Sequence, residues 1–99
     1  MNKQELVAQV GVRLALSRRA STEVVDAVAA SIMRAVAAGE KVTIPGFGTF
    51  ESRLRAPRSA RNPRTGDRVA VPATSVVVFR PGAEFRQRVA GRPKLSKRR

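Results

Sequence analysis

Apolar residues recur at helical spacing in the first third of the chain and alternate at strand spacing after it. Leu6, Val7, Val10 and Leu14 stand three or four positions apart, which predicts an amphipathic helix over about residues 3–15. Asn2 occupies the place of an N-cap. A second series, Val24, Val25, Val28, Ala29, Ile32, Met33 and Val36, predicts a helix of about 20 residues, roughly 30 Å long. Ser17 caps its start and Gly39 offers a left-handed stop. Core packing accounts for both stripes. The second helix is also rich in alanine, and its apolar band is wider than one neighbouring helix requires, which points to a dimer. Arg18 and Arg19 lie in its first turn, against the helix dipole; only a nearby anion would account for that placement.

Beyond Gly39 the period changes. Lys41–Ile44 reads as a short strand, Pro45-Gly46-Phe47-Gly48 as a turn, and Thr49–Arg55 as a second strand. In that strand Phe50, Ser52 and Leu54 share one face, while Glu51, Arg53 and Arg55 share the other. From Ala56 to Arg68 no apolar periodicity remains that could build a core. Asn62-Pro63-Arg64-Thr65-Gly66 carries turn chemistry, and Val69 and Val71 resume an alternation. Residues 53–76 therefore predict a two-stranded ribbon reaching roughly 30–35 Å, with Pro57 and Pro72 facing one another and bending it. Ser75–Arg80 forms a last strand, and Ala83–Ala90 a short helix with Phe85 and Val89 inward. The four phenylalanines, Phe47, Phe50, Phe79 and Phe85, read as core residues; stacking on bases is the weaker alternative.

Charge changes the picture. The 99 residues carry twenty basic and seven acidic side chains, a net charge of +13. Residues 1–45 are nearly neutral, with six basic against four acidic groups, whereas residues 46–99 hold fourteen against three. A polyanion is the partner this implies: DNA, RNA or an anionic membrane surface. Sixteen of the basic residues are arginine, whose planar fork suits phosphates and grooves. Neither cysteine nor histidine occurs, which removes disulfides, thiolate zinc sites and the usual general base. No catalytic constellation emerges, so no enzyme, metal or cofactor is expected. The absence of a long apolar run predicts a soluble protein without a membrane span.

Four stretches carry a family resemblance: Asn2-Lys3, Gly46-Phe47-Gly48-Thr49-Phe50, Arg61-Asn62-Pro63-Arg64-Thr65-Gly66 and Phe79-Arg80-Pro81-Gly82. Together they resemble the bacterial histone-like HU family, which includes integration host factor, over residues 1 to about 90. The resemblance implies an α+β fold assembled as an intertwined homodimer: two N-terminal helices, an antiparallel three-stranded sheet with a long β-ribbon arm at about 53–76, and a short C-terminal helix. It implies an HU-like DNA-binding domain over 1–90 followed by a basic tail, 91–99. It places the dimer core at Phe47, Phe50 and Phe79. It gives Pro63 the role of a wedge that kinks duplex DNA through the minor groove, a mechanism known for this family. DNA contacts would come from Lys3, Arg53, Arg55, Arg58, Arg61, Asn62, Pro63, Arg64, Arg80 and Arg86. Alanine at 83, where many members have lysine, removes one body contact; valine at 77, in place of proline, favours a more regular strand; and Pro45 precedes the Gly-Phe-Gly motif where a hydrogen-bond donor is more usual. The tail resembles the start of the basic extensions of actinobacterial members; phosphate binding and an inert solvated end are both open for it.

The expectation is a nucleoid-associated, cytoplasmic protein that binds and bends duplex DNA with little sequence preference, including bent, nicked or junction forms. A sequence-preferring bender like integration host factor is the alternative, with Asn62 the one strong candidate for base readout. An RNA-binding protein is a secondary reading.

Overall fold

Asn2 and Glu5 close a capping box. The Asn2 side chain accepts from the Glu5 amide at 2.9 Å, and Glu5 Oε1 accepts from the Asn2 amide at 2.8 Å. In the computed structural model, which describes residues 1–91, this cap opens helix α1 (Lys3–Leu14). Ala15 ends it in the left-handed region, at φ 56°. Helix α2 (Arg18–Ala37) begins where Ser17 Oγ accepts from the Ala20 amide at 3.1 Å. Gly39, at φ 90°, stops it.

The chain divides into two compact units, Met1–Ala35 and a second beginning at Val36. Within the first, a Cβ on Gly11 would stand 2.7 Å from Ser21 Oγ, so the two helices meet at a point where one residue has no side chain. Ser21 is fully buried and its hydroxyl donates to the Ser17 carbonyl at 2.7 Å. Lys3 Nζ reaches Asp26 Oδ1 at 2.8 Å and ties the helices near the other end of α1. Arg19 pairs with Glu23 at 3.9 Å on an exposed face; nothing in the structure explains Arg18.

The second unit holds the sheet. Strands β1 (Val42–Ile44), β2 (Gly48–Arg55) and β5 (Thr74–Pro81) form an antiparallel sheet in the order β1-β2-β5. Pro45 and Gly46 make the turn between β1 and β2. Gly46 lies at φ 84° and the Phe47 amide donates to the Ile44 carbonyl at 2.9 Å, the pattern of a type II turn. Helix α3 (Ala83–Ala90) is tied to this turn: the Gly82 amide donates to the Phe47 carbonyl, and the Phe85 amide to the Gly46 carbonyl. β5 runs unbroken past Val77, which pairs with Ser52.

The pairing gives the sheet two chemically distinct faces. Phe50 pairs with both Val42 and Phe79, so these three share a face with Ile44, Leu54 and Val77. There Phe47, Phe50, Phe79 and Phe85 form one cluster, with ring centroids 4.7–6.1 Å apart. Val89 does not join it. Expected to face inward beside Phe85, it is 62% exposed in the single chain; α3 is held at its start through Gly46 and Phe47, and Val89 lies one turn beyond that anchor on the same face.

The arm departs from a continuous ribbon. Its base is the far end of β2 paired with β5, as far as Arg55 opposite Thr74. Its tip is a separate two-stranded sheet, β3 (Arg58–Arg61) with β4 (Arg68–Val71). The ladder lapses at residues 56–57 and 72–73, where Pro57 and Pro72 fall at the same level and each fixes φ far from the strand value. The basic tail expected after Gly91 lies outside the described residues.

Among the described residues only Val7 and Val36 are buried apolar side chains. Leu6, Leu14, Val28 and Met33, expected in the core stripes, remain 42–65% exposed in the single chain.

Candidate nucleic-acid interface

The face of the sheet opposite the phenylalanines is basic, and it is organised around one carboxylate. Glu51 stands beside Arg53 on β2 and is flanked by Lys41 before β1 and Arg80 on β5. Its side chain is 12% exposed, while the three cations around it are more than half exposed. Arg80 Nε lies 3.1 Å, Arg53 Nη2 3.4 Å and Lys41 Nζ 3.8 Å from its oxygens. Strand alternation causes the grouping. Thr49, Glu51, Arg53 and Arg55 point one way from β2, and Arg80 pairs with Thr49 on the same side. One anion thus holds three cations, and Arg55 adds a fourth on that face. Arg53, Arg55 and Arg80 were predicted as site residues. Lys41 and Glu51 were not, because their role appears only once the strands are paired.

The arm tip is a small hydrogen-bonded loop. The Asn62 amide donates to the Asp67 carbonyl and the Gly66 amide to the Asn62 carbonyl, each at 2.7 Å. Asn62 Oδ1 accepts from the Arg64 amide at 2.9 Å, an Asx turn around Pro63. Thr65 Oγ1 accepts from the Asp67 amide at 3.2 Å, and Gly66 sits at φ 81°. Arg61 Nη1 donates to the Gly66 carbonyl at 3.0 Å and braces the loop from β3. Pro63 and Arg64 stand exposed at the apex.

The arginines of the tip do not form a single stripe. Arg58 pairs with Val71 and Ala60 with Val69, so Arg58 shares its face with apolar side chains. Ser59 pairs with Ala70 and Arg61 with Arg68, so the other face is polar and basic. Arg68 Nη1 reaches Ser59 Oγ at 3.4 Å across that face. The remaining predicted residues lie elsewhere. Lys3 is engaged with Asp26 in the helical unit. Arg86 lies on α3, where its Nη1 donates to the Pro81 carbonyl at 3.1 Å.

Among the described residues no cluster of acidic, histidine or cysteine side chains could hold a metal ion, and no helix is long and apolar enough to cross a membrane. What the arrangement offers is a basic sheet face and an exposed proline at the end of an arginine-bearing ribbon. Comparison with known proteins agrees with that chemistry. Residues 1–90 match the family model described as bacterial DNA-binding protein. The chain belongs to this family. It is 44% identical over 89 residues to the SPbeta prophage-derived DNA-binding protein HU 2 of Bacillus subtilis, covering 90% of this chain and 97% of that one. It is 46% identical over 97 residues to DNA-binding protein HU 2 of Streptomyces coelicolor, covering 98% of this chain but 44% of that protein. Among solved structures it is similar to HU in an Anabaena HU–DNA cocrystal, with TM-score 0.87, 43% identity and coverage of 91% of this chain and 98% of that one. HU from Thermotoga maritima gives TM-score 0.64 at 28% identity, over 90% and 98% of the two chains. The α+β fold is that of HU, as the sequence motifs implied.

Proposed function

We propose that this protein is an architectural, nucleoid-associated DNA-binding protein that works as a homodimer and bends duplex DNA through the minor groove. The observation that carries the reading is the arm tip: a proline, exposed and held at the apex of a hydrogen-bonded turn, with arginines on both strands behind it. An apolar ring presented in this way can enter an opened base step, and the unstacking energy of a few kcal/mol is offset by the contacts that bent DNA allows. Arginines suit the narrow, strongly negative minor groove. The similarity to HU, one relative of which is a DNA cocrystal, supports the same reading.

In this reading Pro63 is the wedge, with Arg61, Asn62 and Arg64 around it. Arg53, Arg55 and Arg58 follow the backbone along the arm. Lys3, Arg80 and Arg86 extend the contact. Dimerisation is supported by the small number of buried apolar residues and by the exposure of Phe47 and Phe79, 43% and 37%, which with Phe50 would be covered by a second copy. Low sequence preference is supported by Asn62. Its carbonyl oxygen is already used by the Arg64 amide, so half of the amide that a bidentate base contact needs is committed to the turn.

Bending measured by fluorescence transfer between the ends of a short duplex tests the wedge. Pro63→Ala is expected to reduce the bend more than the affinity, and an unchanged bend angle refutes the assignment. Competition between nicked or four-way-junction DNA and double-stranded RNA tests the partner; preference for RNA overturns it.

A further inference from the structure

The arm tip contains an arrangement that is unfavourable in the free protein. Arg61 on β3 stands directly opposite Arg68 on β4. The Asn62 amide donates to the Asp67 carbonyl, so by the alternation of an antiparallel ladder Arg61 and Arg68 occupy a non-hydrogen-bonded pair. At such a pair the Cα atoms are about 4.5 Å apart and the side chains are closest. Like charges facing each other there are destabilising. Among the described residues neither guanidinium has a carboxylate within ion-pair distance. Asp67 is the sole acidic residue between positions 52 and 83. Each arginine makes one contact to a neutral oxygen instead, Arg61 to the Gly66 carbonyl at 3.0 Å and Arg68 to Ser59 Oγ at 3.4 Å. Both side chains are exposed, and a guanidinium has five N–H donors, so most of the donors on this face are open.

We propose that Arg61 and Arg68 together clamp one phosphodiester of the DNA backbone, which makes Arg68, on the returning strand, a DNA-contact residue. The proposal rests on the reading of the arm as a DNA-binding element. A phosphodiester carries its charge on two non-bridging oxygens, and the two forks, which in the free chain turn away from each other toward Gly66 and Ser59, can each swing back to take one. The bound phosphate supplies the anion that this register lacks. It converts a repulsive cross-strand pair into a bridged one, so closure of β3 on β4 is coupled to contact with the backbone. The contact reads no base, in keeping with low sequence preference. The opposite face of the tip, with Ala60, Val69 and Val71, has no equivalent pair.

The test is the salt dependence of binding to one fixed duplex, for the wild type, Arg68→Gln, Arg61→Gln, the double variant and Arg68→Lys. Arg68→Gln is expected to bind about tenfold more weakly and to lower the log–log salt slope by about 0.9. Because the two arginines share one phosphate, the double variant is expected to lose about as much as either single one. Arg68→Lys is expected to keep the slope but to bind more weakly than the wild type, since a point charge lacks the fork. Amide exchange in the free protein gives a second measurement. Arg68→Gln is expected to protect the Asn62 and Val69 amides more than the wild type, and inorganic phosphate to protect them in the wild type alone. Wild-type affinity and slope in Arg68→Gln overturn the clamp, as do fully additive losses in the double variant or an Arg68→Lys variant equal to the wild type. If the wild type itself shows no salt-dependent duplex binding, the DNA reading fails rather than the clamp.

Discussion

Glu51→Gln isolates the charge at the centre of the basic sheet face, because glutamine keeps the size of the side chain and one acceptor oxygen. The carboxylate lies 3.1–3.8 Å from Arg80, Arg53 and Lys41. At an effective dielectric constant near 20, each such pair corresponds to about 4–5 kcal/mol of Coulomb energy. That figure overstates the net effect, since the cations are 56–66% exposed and exposed pairs contribute about 0.2–1 kcal/mol. Three pairs sharing a nearly buried acceptor place the loss at about 1–2 kcal/mol. The variant also leaves the cations repelling one another without an intervening anion, which acts in the same direction.

Urea unfolding in low and high salt measures this. With a slope of about 1–3 kcal/mol/M, the midpoint is expected to fall by roughly 0.5–1 M urea in low salt. In 1 M salt, where screening acts over about 3 Å, most of the difference is expected to vanish. An unchanged midpoint in low salt, or a loss equal in both salts, refutes the view that Glu51 stabilises the sheet as a counter-charge. The sign of the accompanying change in duplex affinity separates two further roles. Tighter binding means that the carboxylate chiefly repels phosphate, whereas weaker binding means that it chiefly holds Arg53 and Arg80 in place.

Three other outcomes are expected. Gly48→Ala places a Cβ 2.6 Å from the Arg80 carbonyl oxygen and from a ring carbon of Phe79, so it should cost about 3 kcal/mol or more, read as loss of the folded baseline in thermal unfolding. Asn2→Ala removes one half of the capping box and should cost about 1 kcal/mol in the same assay. If folding and dimerisation are coupled, a tenfold rise in protein concentration adds about 1.4 kcal/mol per dimer, and for a unit of about 200 residues raises the Tm by roughly 3–5 °C; a Tm independent of concentration argues against the dimer.

Much of the fold was legible because its signals are local. The N-cap at Asn2, the stop at Gly39 and the Pro45-Gly46 turn each depend on residues within a few positions of one another. Each is formed as the sequence predicts. The alternation of Phe50 with Glu51 likewise announced two faces before any strand was paired. What stayed hidden depends on partners distant in sequence. Glu51 looks like an isolated acid until β1 and β5 bring Lys41 and Arg80 beside it. Val89 sits at helical spacing from Phe85, yet α3 is anchored through Gly46 and Phe47 at its start, and its last turn is left in solvent.

The arm shows most clearly why a list of arginines is not yet an interface. Along the sequence, Arg58, Arg61, Arg64 and Arg68 read as one continuous basic run. Pairing β3 with β4 sends Arg58 to a face shared with Val69 and Val71, and Arg61 to a face shared with Arg68. A shift of register by one residue would reverse this sorting. The register is held by the turn, where Asn62, Thr65 and Gly66 bond to the backbone around Pro63. The residues that present the proline are therefore also the ones that decide which arginines stand together. A substitution that loosens the turn acts on both the apex and the paired arginines, whereas replacing Arg68 alone acts on the pair.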